Sequence, residues 1–156
     1  IAAYGLPAQE TLATYRAARP GAGPGELLSA IQGDWLFRIP ALRLADAHAG
    51  SSPATYMYEF AWRSPQFSGR LGAGHGLEMP FVFDLLPDGP DPLLGAHPPR
   101  QLAGAMHAAW VGFATHGECP WPKYDLSRRS TMRFDAHSEV VYDPRSAERA
   151  LWESIR

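Results

Sequence analysis

Gly72-Ala73-Gly74-His75-Gly76-Leu77-Glu78-Met79-Pro80-Phe81-Val82-Phe83 sets one histidine between glycines, directly ahead of an apolar run. The flanking glycines remove the Cβ atoms that would crowd the ring and open backbone angles closed to other residues. Such a loop presents an imidazole rather than burying it. With an ordinary pKa of roughly 6.5, an imidazole suits proton transfer near neutrality. A proton carrier needs a nucleophile or a substrate to serve, and the rest of the sequence offers no obvious one. No serine stands in a Gly-x-Ser-x-Gly elbow, the strand-to-helix turn that exposes an activated hydroxyl. No glycine-rich loop leads into a helix as a phosphate cradle. A histidine with a purely structural role is the competing reading of His75. Glu78, three residues on, either orients a neighbour or is an ordinary charge at a loop-to-helix junction.

Working outward, the 156 residues are 46% hydrophobic and 19% charged with a formal net charge of −2. That fits a single globular unit with a sizeable core. Without a basic excess, nucleic acid and anionic membranes are not expected partners. No apolar stretch approaches the roughly 20 residues of a membrane span. The sequence opens at Ile1 rather than Met, so the lack of a signal segment says little about targeting, and no compartment is assigned. One cysteine, Cys119, excludes an internal disulfide and reads as a small loop thiol. The other histidines (His48, His97, His107, His116, His137) lack the pair spacing of a metal site, so neither metal nor cofactor is expected. The 15 glycines and 15 prolines are scattered, which argues for many loops rather than disorder.

The periodicity predicts helices over 8–18, with Leu12 and Tyr15 inward, and over 25–32. It predicts a third over 35–48 capped by Asp34, in which Pro40 must fall in the first turn or at a kink. Ala54–Trp62 reads as a buried strand, because it is rich in aromatics and free of breakers. Residues 101–116 form the clearest amphipathic helix, ended by Gly117. Residues 131–135 and 139–142 alternate like the two strands of a hairpin, and 145–155 closes the chain as a helix. The class is mixed α/β, with too few strands for an independent sheet. The aromatic residues Trp35, Tyr56, Tyr58, Trp62 and Trp110 read as core rather than as a stacking surface.

The His75 segment resembles the region around the catalytic histidine of type B carboxylesterases, the α/β-hydrolase family of the cholinesterases and para-nitrobenzyl esterases. Gly33-Asp-Trp-Leu-Phe-Arg-Ile-Pro40 is similar to that family's Asp-x-x-Phe-x-x-Pro helix start, and Tyr56-Met-Tyr-Glu-Phe60 to the strand that follows. Trp110-Val-Gly-Phe-Ala-Thr-His-Gly117, Trp121-Pro-Lys-Tyr124 and Thr131-Met-Arg-Phe-Asp135 resemble its C-terminal signature. The likeness runs in order along nearly the whole chain.

The resemblance implies that residues 1–156 are the C-terminal part of one α/β-hydrolase catalytic domain: last sheet strands, packing helices and a C-terminal hairpin. It implies a carboxylic-ester hydrolase with a Ser-Glu-His triad, of which this chain supplies His75 as general base. The serine and glutamate would lie upstream of Ile1, so the chain alone is expected to be inactive. Leu77 stands where cholinesterases carry an aromatic residue, which implies a plain apolar substrate pocket. Asp34 and Arg145 match a structural ion pair of the family, with helix capping the other reading of Asp34. The expected partners are a small ester and, over the exposed sheet edge, the N-terminal part of the same protein or a second copy. A catalytically inactive, cholinesterase-like binding module is the alternative, and the retained His75 argues against it.

Overall fold

The computed structural model describes residues 1–51, 54–153 and 155. They belong to two compact units, Ile1–Ser51 with Asp143–Arg156, and Ser52–Tyr142.

The first unit is helical. Helix α1 (Ala8–Ala17) buries Thr11 and Tyr15, so its inner face is rotated from the expected stripe and Leu12 is only half-buried. Helix α2 (Pro24–Gly33) opens on Pro24, at a position where a missing N–H is no loss, and the Gly23 N–H donates to Glu26 Oε2 at 2.9 Å. Leu27 and Ile31 point inward.

Asp34 does not cap a new helix. The backbone is already helical at Gly33 and Asp34 and passes through a π-helical segment, Asp34–Arg38, straight into α3 (Ile39–Ala49). Pro40 gives a physical reason for the wider turn. It has no N–H for the carbonyl four residues back, and its ring crowds that carbonyl. The inner face of α3 is Ile39, Leu42 and Ala45, while Leu44 is 72% exposed. Helix α6 (Ser146–Leu151) is shorter than expected at both ends: Arg145 is left-handed, with φ 58°, and the chain leaves the helix for a turn at Trp152 and Glu153. Residue 154, also within the expected helix, lies outside the described residues. Trp152 follows α6 and is buried, its ring 5.7 Å from that of Trp35 and 6.2 Å from that of Tyr4.

The second unit carries a three-stranded sheet in the order β1 (Met57–Phe60), β2 (Ser130–Phe134), β3 (Glu139–Tyr142). Strands β1 and β2 are parallel, with Met57 beside Thr131. Strands β2 and β3 form the predicted hairpin, with Ser130 beside Tyr142. β1 is half-buried at all four positions rather than buried, as befits a strand at a sheet edge. Helix α4 (Met79–Val82) is one short turn, and α5 (Arg100–His116) is the long helix. α5 ends where Gly117 takes φ 72° and its N–H donates to Phe113 O at 2.8 Å, a left-handed cap that glycine adopts without strain. The core gathers Leu77, Phe81, Leu102, Met106, Trp121 and Phe134. Phe81 is completely enclosed, with the rings of Phe60 and Trp62 at 5.1 and 5.2 Å. Burying a side chain of that size stabilises the unit by roughly 1.5–3 kcal/mol.

Candidate active site

His75 is exposed, at the top of a glycine turn. Gly72 and Gly76 take φ +61° and +82°, angles that only glycine adopts freely. Beyond the imidazole the chain turns at once into α4: the Leu77 N–H donates to Gly74 O and the Met79 N–H to Gly76 O, each at 3.2 Å. Leu77 and Phe81 then anchor the segment in the core, so an exposed ring stands on a buried base. Upstream, Ser64 and Gly72 form an antiparallel bridge, the Ser64 N–H reaching Gly72 O at 3.0 Å. A third anchor comes from α5, where His107 Nδ1 donates to Val82 O at 2.9 Å. That carbonyl can only accept, which fixes His107's proton on Nδ1.

Leu77 itself is 5% exposed and packs into the core. Glu78 is half-buried at the start of α4. Burial raises the pKa of the Tyr58 hydroxyl, and the Glu78 carboxylate adds to that rise. Tyr56, Tyr58, Trp110, Phe113, Cys119 and Trp121 line an open apolar groove of about 110 Å³. Its rings meet edge to face, Tyr56 with Phe113 and Tyr58 with Trp110 at 6.0 Å, a packing arrangement of aromatics. Among the described residues no three His, Cys, Asp or Glu side chains gather as a metal site, and no helix is long and apolar enough to cross a membrane.

In the first unit, Asp34 is 4% exposed and makes its ion pair with Arg38, four residues on, through contacts of 2.6 and 2.8 Å. Tyr15 Oη donates to the same carboxylate at 2.5 Å. Burial alone would lower the Arg38 pKa; its hydrogen bonds to Asp34, with the charges of Asp34 and Glu148, reverse the sign and raise it. Arg145 Nε lies 3.8 Å from Glu148 Oε2, and Arg38 Nη2 lies 3.5 Å from the same oxygen. Arg19 closes on Glu148 from a third side. Asp34 and Arg145 thus belong to one network of two carboxylates and three guanidinium groups. Ser64, His107 and Glu148 have no signal in the sequence. Each stands in an unremarkable stretch and matters only through partners distant in the chain.

The model of the carboxylesterase family matches residues 15–152. The chain belongs to the carboxylesterase family. It is 34% identical to phenmedipham hydrolase of Pseudarthrobacter oxydans across 82% of this chain and 26% of that protein. It is 28% identical to rat carboxylesterase 1E across 87% of this chain and 25% of that one. Among solved structures it is similar to the Geobacillus stearothermophilus carboxylesterase EST55, with a TM-score of 0.77 and 34% identity over 95% of this chain and 32% of that chain. A para-nitrobenzyl esterase follows with a TM-score of 0.70 and 29% identity, over 81% and 27% of the two chains. The type B carboxylesterase resemblance and the α/β-hydrolase fold class read from the sequence are therefore correct. The chain spans about a quarter of the length of the curated carboxylesterases it matches.

Proposed function

We propose that this chain supplies the general base, His75, of a serine carboxylic-ester hydrolase and forms the C-terminal part of its catalytic domain. The observation that carries the reading is an exposed imidazole on a glycine turn whose two ends are fastened to buried backbone, inside a carboxylesterase segment. In this reading the serine nucleophile and the triad glutamate are contributed from outside residues 1–156. His75 takes the serine proton as the hydroxyl oxygen attacks the ester carbonyl. It returns that proton to the leaving alcohol when the tetrahedral intermediate collapses to an acyl-serine. Water then attacks the acyl group, His75 again accepting a proton and passing it back to the serine. Leu77, buried in the core, holds the downstream end of the turn. Asp34 and Arg145 act in folding, through the buried charge network.

The edge of β1 and the exposed apolar side chains of this unit suit a covering partner, either the remainder of the polypeptide or a second copy. The chain alone is expected not to hydrolyse p-nitrophenyl acetate. A chimaera in which it replaces the segment it matches in the Pseudarthrobacter phenmedipham hydrolase is expected to be active. His75→Ala should then lower the chimaera's turnover by at least about a thousandfold without unfolding it. Near-normal turnover of that variant overturns the assignment of His75. Hydrolysis by the isolated chain, abolished by His75→Ala, overturns the placement of the other triad members elsewhere.

A further inference from the structure

We infer that Ser64 is a positioning residue for His75, a buried clasp that ties the histidine turn to the loop between α4 and α5. The inference rests on the reading of His75 as the general base. Ser64 is wholly buried although it stands in a polar stretch, Arg63-Ser64-Pro65-Gln66. Its N–H and its hydroxyl are both used. Its N–H holds Gly72 O at 3.0 Å, closing the excursion from 64 to 72 at its base, three residues before His75. Its hydroxyl donates to Leu93 O at 2.5 Å and accepts the Gln66 N–H at 3.1 Å.

The Leu93 side of the clasp is itself a rigid turn. Asp91 and Gly95 exchange backbone hydrogen bonds of 3.0 and 2.9 Å, and the Asp91 carboxylate accepts from the Leu93 and Leu94 N–H groups at 2.8 and 2.7 Å. Gln66 Nε2 adds a second tie, donating to Asp91 O at 2.9 Å. Gly95 packs face to face with Pro65: a Cβ there would stand 2.9 Å from Pro65 Cγ, and its φ is +83°. The two loops therefore meet through backbone carbonyls, one buried hydroxyl and a glycine, with no room for adjustment.

This arrangement does for the upstream end of the turn what Leu77 does for the downstream end. With both ends held, the excursion of the glycine backbone is limited to residues 73–76, and the imidazole keeps one direction. Glycine would otherwise leave the ring mobile. A misplacement of about 1 Å in a catalytic group lowers turnover by about a hundredfold. Ser64 touches neither substrate nor proton; it acts through the position of His75.

The experiment has two readouts. In the chain itself, Ser64→Ala should raise amide hydrogen exchange at Gly72–Leu77 by at least tenfold and shift the His75 imidazole resonances, with α5 exchange unchanged. Gln66→Ala, a milder change at a half-buried site, should move the same amides in the same direction and serves if Ser64→Ala does not fold. In the chimaera with phenmedipham hydrolase, Ser64→Ala should lower kcat at least tenfold with KM within twofold, and Ser64→Thr, which keeps the hydroxyl, should recover part of the loss. Unchanged exchange at 72–77 in a folded variant overturns the inference, as does an unchanged kcat. Should the unsubstituted chimaera prove inactive, the esterase reading fails there, and hydrogen exchange alone decides the role of Ser64.

Discussion

The indole Nε1 of Trp152 donates to the hydroxyl of Tyr15 at 2.9 Å, joining α1 to the segment after α6 across a separation of 137 residues. The same hydroxyl donates to Asp34, so one oxygen serves as acceptor and donor inside a buried site. Burial raises the Tyr15 pKa strongly and the bond to Asp34 raises it further, so the hydroxyl keeps its proton.

Tyr15→Phe removes that oxygen and leaves the indole N–H of Trp152 buried without an acceptor. The expected loss is about 1–3 kcal/mol of stability, the penalty for an orphaned buried donor. A lowered urea midpoint at unchanged slope, followed by tryptophan fluorescence, is the result to look for. No shift in midpoint would mean that the bond contributes nothing net.

Glu148 is enclosed by Arg19, Arg38 and Arg145 at a side-chain exposure of 1%. Glu148→Gln leaves three guanidinium groups facing one neutral amide, with Asp34 the remaining counter-charge. Removing one partner of a buried ion pair typically lowers stability by about 3–5 kcal/mol. Calorimetry should record a lower Tm for Glu148→Gln than for the exposed-pair variant Asp88→Asn, whose partner Arg100 is itself solvent-exposed.

Asp125 accepts hydrogen bonds from the Ser127 side chain and from the Ser127 and Arg128 N–H groups at 2.5–2.8 Å, in the turn leading to β2. The Ser127 hydroxyl and the Arg128 N–H hold its carboxyl down to about 2, below the ordinary 3.8. A depressed carboxyl stabilises the fold above its unfolded value, and that contribution is lost as pH falls from about 4 to about 2. The amide resonances of Ser127 and Arg128 should titrate with a midpoint near 2. A midpoint near 4 would show that the turn does not favour the carboxylate.

Cys119 lies partly inside the aromatic groove, and burial raises its pKa above the usual thiol value. Thiolate is the reactive form, so alkylation by iodoacetamide at neutral pH should be slower than for a free cysteine. The rate should keep climbing above the pH at which a free thiol levels off. A rate equal to that of free cysteine would place the thiol in open water.

Local signals were legible where one element decides its own form. The apolar period of 101–116 and the stop at Gly117 specify α5, of whose expected face Leu102 and Met106 are buried while Trp110 and Phe113 are exposed, and alternation specifies the hairpin of β2 and β3. The stretch at Asp34 has the composition of a helix start, which is why capping competes with an ion pair in the sequence. The Asp34 carboxylate is taken instead by Tyr15, 19 residues away, and by Arg38. The π-helical turn follows from Pro40, whose cost was readable but whose remedy was not. β1 is half-buried rather than buried: aromatic residues mark a strand but not its place in a sheet. The glycines single out His75 in the sequence, whereas nothing singles out Ser64, since a serine beside a proline looks like any loop.

The unit that holds Asp34 and Glu148 is assembled from both ends of the sequence, while Ser52–Tyr142 is one unbroken stretch. The three strands and the helices α4 and α5 thus lie within one continuous stretch of sequence. On a ribosome α1 to α3 are made before residues 143–152, so Tyr15 lacks Trp152, and Arg19 and Arg38 lack Glu148, until that later stretch follows. Pairings at such sequence separations close slowly. The buried charge network of Asp34 and Glu148 therefore closes only after residues 52–142 have been made.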